Sequence, residues 1–78
     1  MQNTDEIYSY IAANVKIYRK IRGLSIKELS QKTDISEYIL KRLEGNKFRR
    51  LTYDMYLRIV DTLDIDPDSL VAPCFDEA

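Results

Sequence analysis

Two serines constrain this chain more than any other feature. Ser25 and Ser36 each stand directly before a short run of helical periodicity, with only a few residues between the runs. Ser25-Ile26-Lys27-Glu28 has the form of a capping box: the Ser hydroxyl accepts from a first-turn amide and Glu28 reaches back to the Ser amide. The helix it opens is short, about Ile26 to Lys32, and buries Leu29. Thr33-Asp34-Ile35 makes the turn, with Ile35 anchoring it from inside. Ser36 is the next N-cap, and Glu37 places a negative charge where the helix dipole favours it. The spacing predicts a helix over Glu37 to Glu44 that buries Leu40 and Leu43 and turns Glu37, Tyr38, Lys41 and Arg42 outward, with Gly45-Asn46 ending it. Residues 25–44 therefore read as two short helices joined by a tight turn, a helix-turn-helix.

The flanks extend the pattern. Ile7, Ile11, Val15 and Tyr18 recur at helical spacing, predicting a first helix from about Thr4 or Asp5 to Arg22 that Gly23 terminates. Leu24 plugs back into the core. Thr52 caps a fourth helix, about Tyr53 to Leu63, with Tyr53, Tyr56, Ile59, Val60 and Leu63 at core spacing; most of the six tyrosines read as core on the same ground. Asp66-Pro67 opens a short fifth helix that packs Leu70 inward, Pro being well tolerated in a first turn. With two Gly, two Pro and no alternating run, strands are not expected. The expectation is one all-α domain over residues 1–78, with five helices, a helix-turn-helix core at 25–44 and an acidic tail at 72–78.

Charge is strongly polarised along the chain. The net charge of −1 divides into −2 over residues 1–15, +7 over residues 16–50 and −6 over residues 51–78. A basic middle between acidic ends can form one basic face suited to a polyanion, although chance clustering on a solvated surface gives the same count. Catalysis has little to work with: there is no His, Cys74 is alone, and no glycine-rich phosphate loop occurs. Asp64, Asp66 and Asp68 imitate the start of a calcium loop, but Ser69 and Phe75 stand where its Gly and Glu belong. No enzyme activity, metal, cofactor or small-molecule ligand is expected. The polar, acidic N-terminus lacks the form of a signal peptide, and no run approaches the ~20 apolar residues that cross a bilayer. A lone Cys fits a reducing compartment, so a cytoplasmic location is expected, with no membrane partner.

The ordered set Gly23-Leu24-Ser25, Glu28-Leu29-Ser30, Ile35-Ser36, Leu40, Arg42-Leu43-Glu44, Lys47, and Leu63 with Ile65 through Leu70 resembles the phage-repressor and Cro-type (XRE-like) helix-turn-helix family. The resemblance runs from Ile11 to Val71 without an obvious insertion. It implies the five-helix lambda-repressor-like fold and a transcriptional regulator that binds double-stranded DNA, as a homodimer on a near-palindromic site. It also implies an ion pair between Arg19 on the first helix and Glu44 ending the third. Base contacts would fall on Glu37, Tyr38 and Arg42, with Lys41 nearby. Phosphate contacts would fall on Ser25, Lys27, Ser36, Lys47, Arg49 and Arg50.

Physical chemistry weighs these positions unequally. Arg42 suits bidentate pairing with guanine. Lys41 is open between base, phosphate and solvent. Tyr38 can meet a thymine methyl, bond a phosphate, or pack on its own helix. Glu37 can accept from a cytosine amine or serve only the helix dipole. Ile26 stands where the family usually has a phosphate-bonding Gln, Asp34 replaces the usual turn Gly, and Gly45-Asn46 inverts the commoner order. These departures keep a second class in play, an antitoxin-like or adaptor module that uses the same fold to bind a protein. Tyr10, Ile17 and Ile21, off the main stripe of the first helix, are candidates with Leu57, Val71 and Phe75 for a subunit or partner surface.

Overall fold

A computed structural model describes residues 4–73 and contains five α-helices: α1 (Thr4–Ile21), α2 (Ile26–Thr33), α3 (Glu37–Glu44), α4 (Tyr53–Leu63) and α5 (Pro67–Val71). No strand occurs among the described residues. Cys74, Phe75 and most of the acidic tail lie outside them.

Local chemistry sets the ends of each helix. Ser25, Ser36 and Thr52 each accept from the third amide of the helix that follows. At Ser25 the box closes both ways, Glu28 N donating to Oγ at 3.0 Å and Ser25 N donating to the Glu28 carboxylate at 2.8 Å. The amide of Ser25, and after it the Ser25 side chain, hold the Glu28 carboxyl below its ordinary value. The folded state thus binds fewer protons than the unfolded chain, so the stabilisation is complete above the ordinary carboxylate pKa and is lost as pH falls through the lowered one. Glu28→Gln keeps an acceptor but cannot titrate. It is expected to flatten the acid limb of stability against pH, measured by urea unfolding at stepped pH; an unchanged limb would count against the box.

At the C-termini the chain reverses through left-handed residues. Gly23 has φ 72°, and the amides of Gly23 and Leu24 close α1 on Lys20 O and Arg19 O. Asp34 and Asp64 take the same conformation after α2 and α4. After α3 the left-handed residue is Asn46, at φ 62°, while Gly45 stays at φ −83°. The inverted Gly-Asn order is therefore used as it stands, because Asn tolerates this region.

All five helices contribute to one buried cluster, centred on Val15, Leu29, Leu40, Leu43, Ile59, Leu63 and Leu70. α1 packs on α3, α4 and α5, while α2 packs on α3 and α4. Three expectations need correction. α1 stops one residue early, and α2 continues through Thr33, whose buried hydroxyl donates to Leu29 O at 2.7 Å and accepts from Ile35 N. Nor are the tyrosines mostly inside the core: Tyr8, Tyr18 and Tyr56 pack half-buried against its edge, Tyr10 is half-buried, and Tyr38 and Tyr53 are 70% and 77% exposed. Tyr53 begins α4 and only rims a shallow groove with Ile7, Ile11 and Tyr56.

One buried polar side chain ties the two ends of the fold together. Asn14 interrupts the apolar stripe of α1, and its amide donates to Leu70 O and Ala72 O, both at 2.9 Å. These carbonyls end α5 and have no helical partner further on. Asn14→Ala is expected to cost about 1–2 kcal/mol through the unsatisfied carbonyls. For a domain this small that lowers the thermal midpoint by roughly 4–16 °C, read by circular dichroism; no shift would mean the carbonyls find other partners.

Candidate nucleic-acid interface

The helix-turn-helix is held by its inner residues and leaves its outer ones free. Leu29, Ile35, Leu40 and Leu43 are buried, which fixes α3 against α2 and the rest of the core. Ile26 is half-buried on the same cluster, so its side chain serves packing. The turn itself is clasped by Arg58, which donates to Thr33 O at 3.3 Å and lies 3.8 Å from the Asp34 carboxylate. Arg58 also pairs with Asp54 at 2.9 Å, so the exposed Asp34 charge has a cation beside it.

Arg19 and Glu44 meet as the resemblance implied. The guanidinium donates to the carboxylate at 2.7 and 3.1 Å, and its remaining nitrogen donates to Leu24 O at 2.8 Å. Both side chains are nearly covered. The hydrogen bond to Glu44 raises the Arg19 pKa above its already high ordinary value, against the opposing effect of burial. One guanidinium thus joins α1, the connection to α2 and the end of α3.

On the outer side of α3, Glu37, Tyr38, Lys41 and Arg42 are all exposed. Arg42 lies over the Tyr38 ring at 5.7 Å and donates to Lys47 O at 2.9 Å. These two attachments bias where the Arg42 guanidinium rests, while its other nitrogens stay without a hydrogen-bond partner among the described residues. Ser25 and Ser36 are exposed at the two helix starts, each with its hydroxyl used as a cap. Their helices still present first-turn amides without intrahelical partners, a geometry suited to an anion.

The cations on and around the helix-turn-helix divide into two kinds. Lys27, Lys41, Lys47 and Arg50 are exposed and make no ion pair among the described residues. Arg49 is drawn back onto α1: it pairs with Asp5 at 3.2 Å, donates to Asn46 O at 3.0 Å and lies 5.2 Å from the Tyr8 ring centre. Sequence reasoning missed Asn14, Arg22 and Arg58. Arg22 donates to Leu63 O at 2.7 Å and Asp64 O at 3.1 Å, closing the end of α4. Asn14 alone left a readable mark, as a polar residue inside an apolar stripe. No group of residues able to hold a metal ion, and no helix long and apolar enough to cross a membrane, occurs among the described residues.

Comparison with known proteins places this arrangement. Sequence comparison with curated proteins finds no match. Among solved structures the chain is similar to the master regulator for biofilm formation SinR, in a crystal structure in complex with DNA. That similarity has 26% identity and a TM-score of 0.76, over 80% of this chain and 98% of that one. It is also similar to an HTH_3 family transcriptional regulator from Vibrio cholerae, at 26% identity and a TM-score of 0.79, over 87% of this chain but 38% of that one. A family model described as a helix-turn-helix domain matches residues 12–72, from the middle of α1 to just past α5. The chain therefore belongs to this XRE-type helix-turn-helix domain family and has its lambda-repressor-like five-helix fold.

Proposed function

We propose that this protein is a sequence-specific regulator of transcription that binds double-stranded DNA and acts as a repressor, reading the major groove with α3. The observation that carries the proposal is the exposed row Glu37, Tyr38, Lys41 and Arg42 on a helix whose opposite side is fully buried. A helix fits the major groove, and only a few side chains from its first turns need reach base edges. Lys27, Lys47 and Arg50, unpaired around that row, supply phosphate contacts together with the helix starts at Ser25 and Ser36. Arg49 joins them only by leaving Asp5. The likeness to SinR, solved in complex with DNA, supports the same reading. Binding as a homodimer to two half-sites, and occlusion of polymerase at an overlapping promoter, complete the proposal.

The test is selection of bound sequences from a random duplex pool, followed by salt titration on the winners. A near-palindrome with half-sites about one helical turn apart, bound with steep salt dependence, is expected. Failure to enrich any sequence, with no salt-sensitive affinity for random duplex, would sink the proposal and favour a protein-binding module.

A further inference from the structure

The face of α1 turned away from Ile11 and Val15 leaves large apolar side chains in solvent, and its residues are self-complementary. Tyr10, Ala13, Ile17 and Ile21 recur at spacings of three and four, on the side away from the buried Ile11 and Val15. Ile17 is 40% and Ile21 64% exposed, two of the few large apolar side chains left in solvent. The same face carries Glu6 at its N-terminal end and Lys20 at its C-terminal end, both exposed, with Lys16 alongside.

We infer that this face is where two copies of the chain pair, α1 against α1 in antiparallel orientation about a twofold axis near Ala13. Three features choose a second copy as the occupant. Antiparallel alignment about that point sets Tyr10 of one copy level with Ile17 of the other. It also brings Glu6 to within about one residue's rise, ~1.5 Å along the axis, of Lys20. A parallel pair would set Glu6 on Glu6 and Lys20 on Lys20, which repel. The small side chain of Ala13 lies at the crossing, where helix axes must approach most closely. Tyr10 already donates to the Glu6 carboxylate at 3.3 Å, holding it along this face. Since every contact occurs twice across the axis, the surface is isologous and closes at two copies. A helix of 18 residues, roughly 27 Å long, offers a small interface, so the dimer is a weak one.

The inference deepens the dimer part of the proposed function but is tested without DNA, so either reading can fail alone. Sedimentation equilibrium of the full chain from micromolar to millimolar concentration is expected to show a monomer–dimer equilibrium. Ile17→Glu is expected to weaken association by about 30-fold or more, by placing an unpaired charge in the contact. Glu6→Lys and Lys20→Glu should each weaken it about 3–10-fold, because each ion pair occurs twice. The double variant should return to within about twofold of the parent, since it rebuilds the pair with its charges exchanged. The charge variants sit at exposed positions, so they decide the matter even if Ile17→Glu also lowers the thermal midpoint. A monomer throughout the range, a dimer indifferent to Ile17→Glu in a folded variant, or charge reversals that do not rescue each other would overturn the inference.

Discussion

Replacing Arg19 by alanine is expected to destabilise the protein by about 3 kcal/mol, near the lower end of the range for breaking a largely covered ion pair from one side. The cost arises less from lost attraction than from what remains. Glu44 would keep a carboxylate with only 9% of its side chain in water, and Leu24 O would lose its donor. The pair is at the rim rather than in the deep core, which is why the lower end applies. In a domain of this size the thermal midpoint should fall by roughly 12–24 °C. Removing both charges together, as Arg19→Met with Glu44→Leu, should recover much of the loss, because no lone carboxylate is left covered. Urea unfolding and thermal melts of the two single variants and the double provide the cycle. Single variants that cost less than about 1 kcal/mol would place the pair with ordinary surface bridges instead.

The second large effect concerns DNA. Lys47→Ala with Arg50→Ala is expected to weaken binding to all duplexes alike and to lower the salt slope by about two units, since each phosphate contact contributes about 0.9. Arg42→Ala should behave differently. It should cost about 1–3 kcal/mol on the selected site and relax the preference at one base pair. The loss should fall toward the smaller figure if a base contact costs wild-type Arg42 its bond to Lys47 O and its place over the Tyr38 ring. Arg49→Ala should change the slope less than Lys47→Ala does, because its guanidinium is already held by Asp5. Anisotropy titrations from low to moderate salt separate these outcomes. A uniform loss for Arg42→Ala, with no change in base preference, would move it from the reading residues to the anchors.

What could be read from the sequence follows from the range of each interaction. α3 and α4 were legible to the residue because Ser36, Thr52 and Gly45 act within one turn of where they stand. The core was legible because Leu29, Leu40, Leu43 and Leu63 sit at fixed helical spacing. Tyr53 shows where that reasoning ends: its spacing is right, but at the first residue of α4 it only rims the groove beside α1 and stays 77% exposed. The Arg19–Glu44 pair was reached through the family resemblance, not through spacing. The carbonyl contacts of Arg22, Arg42 and Arg58 could not be read at all. Each ends on a backbone carbonyl, which every residue carries and no sequence pattern marks.

That preference for carbonyls divides the two kinds of basic residue by task. Five of the six arginines donate to main-chain oxygens, at Leu24, Leu63, Asp64, Lys47, Asn46, Phe48 and Thr33, holding helix ends and loops in place. The six lysines make no side-chain hydrogen bond or ion pair among the described residues. Guanidinium carries the framework, and ammonium carries the adjustable part of the surface field. Acylating reagents that neutralise lysine would therefore tune attraction to a polyanion and leave the architecture standing, while a reagent directed at arginine would take the architecture apart.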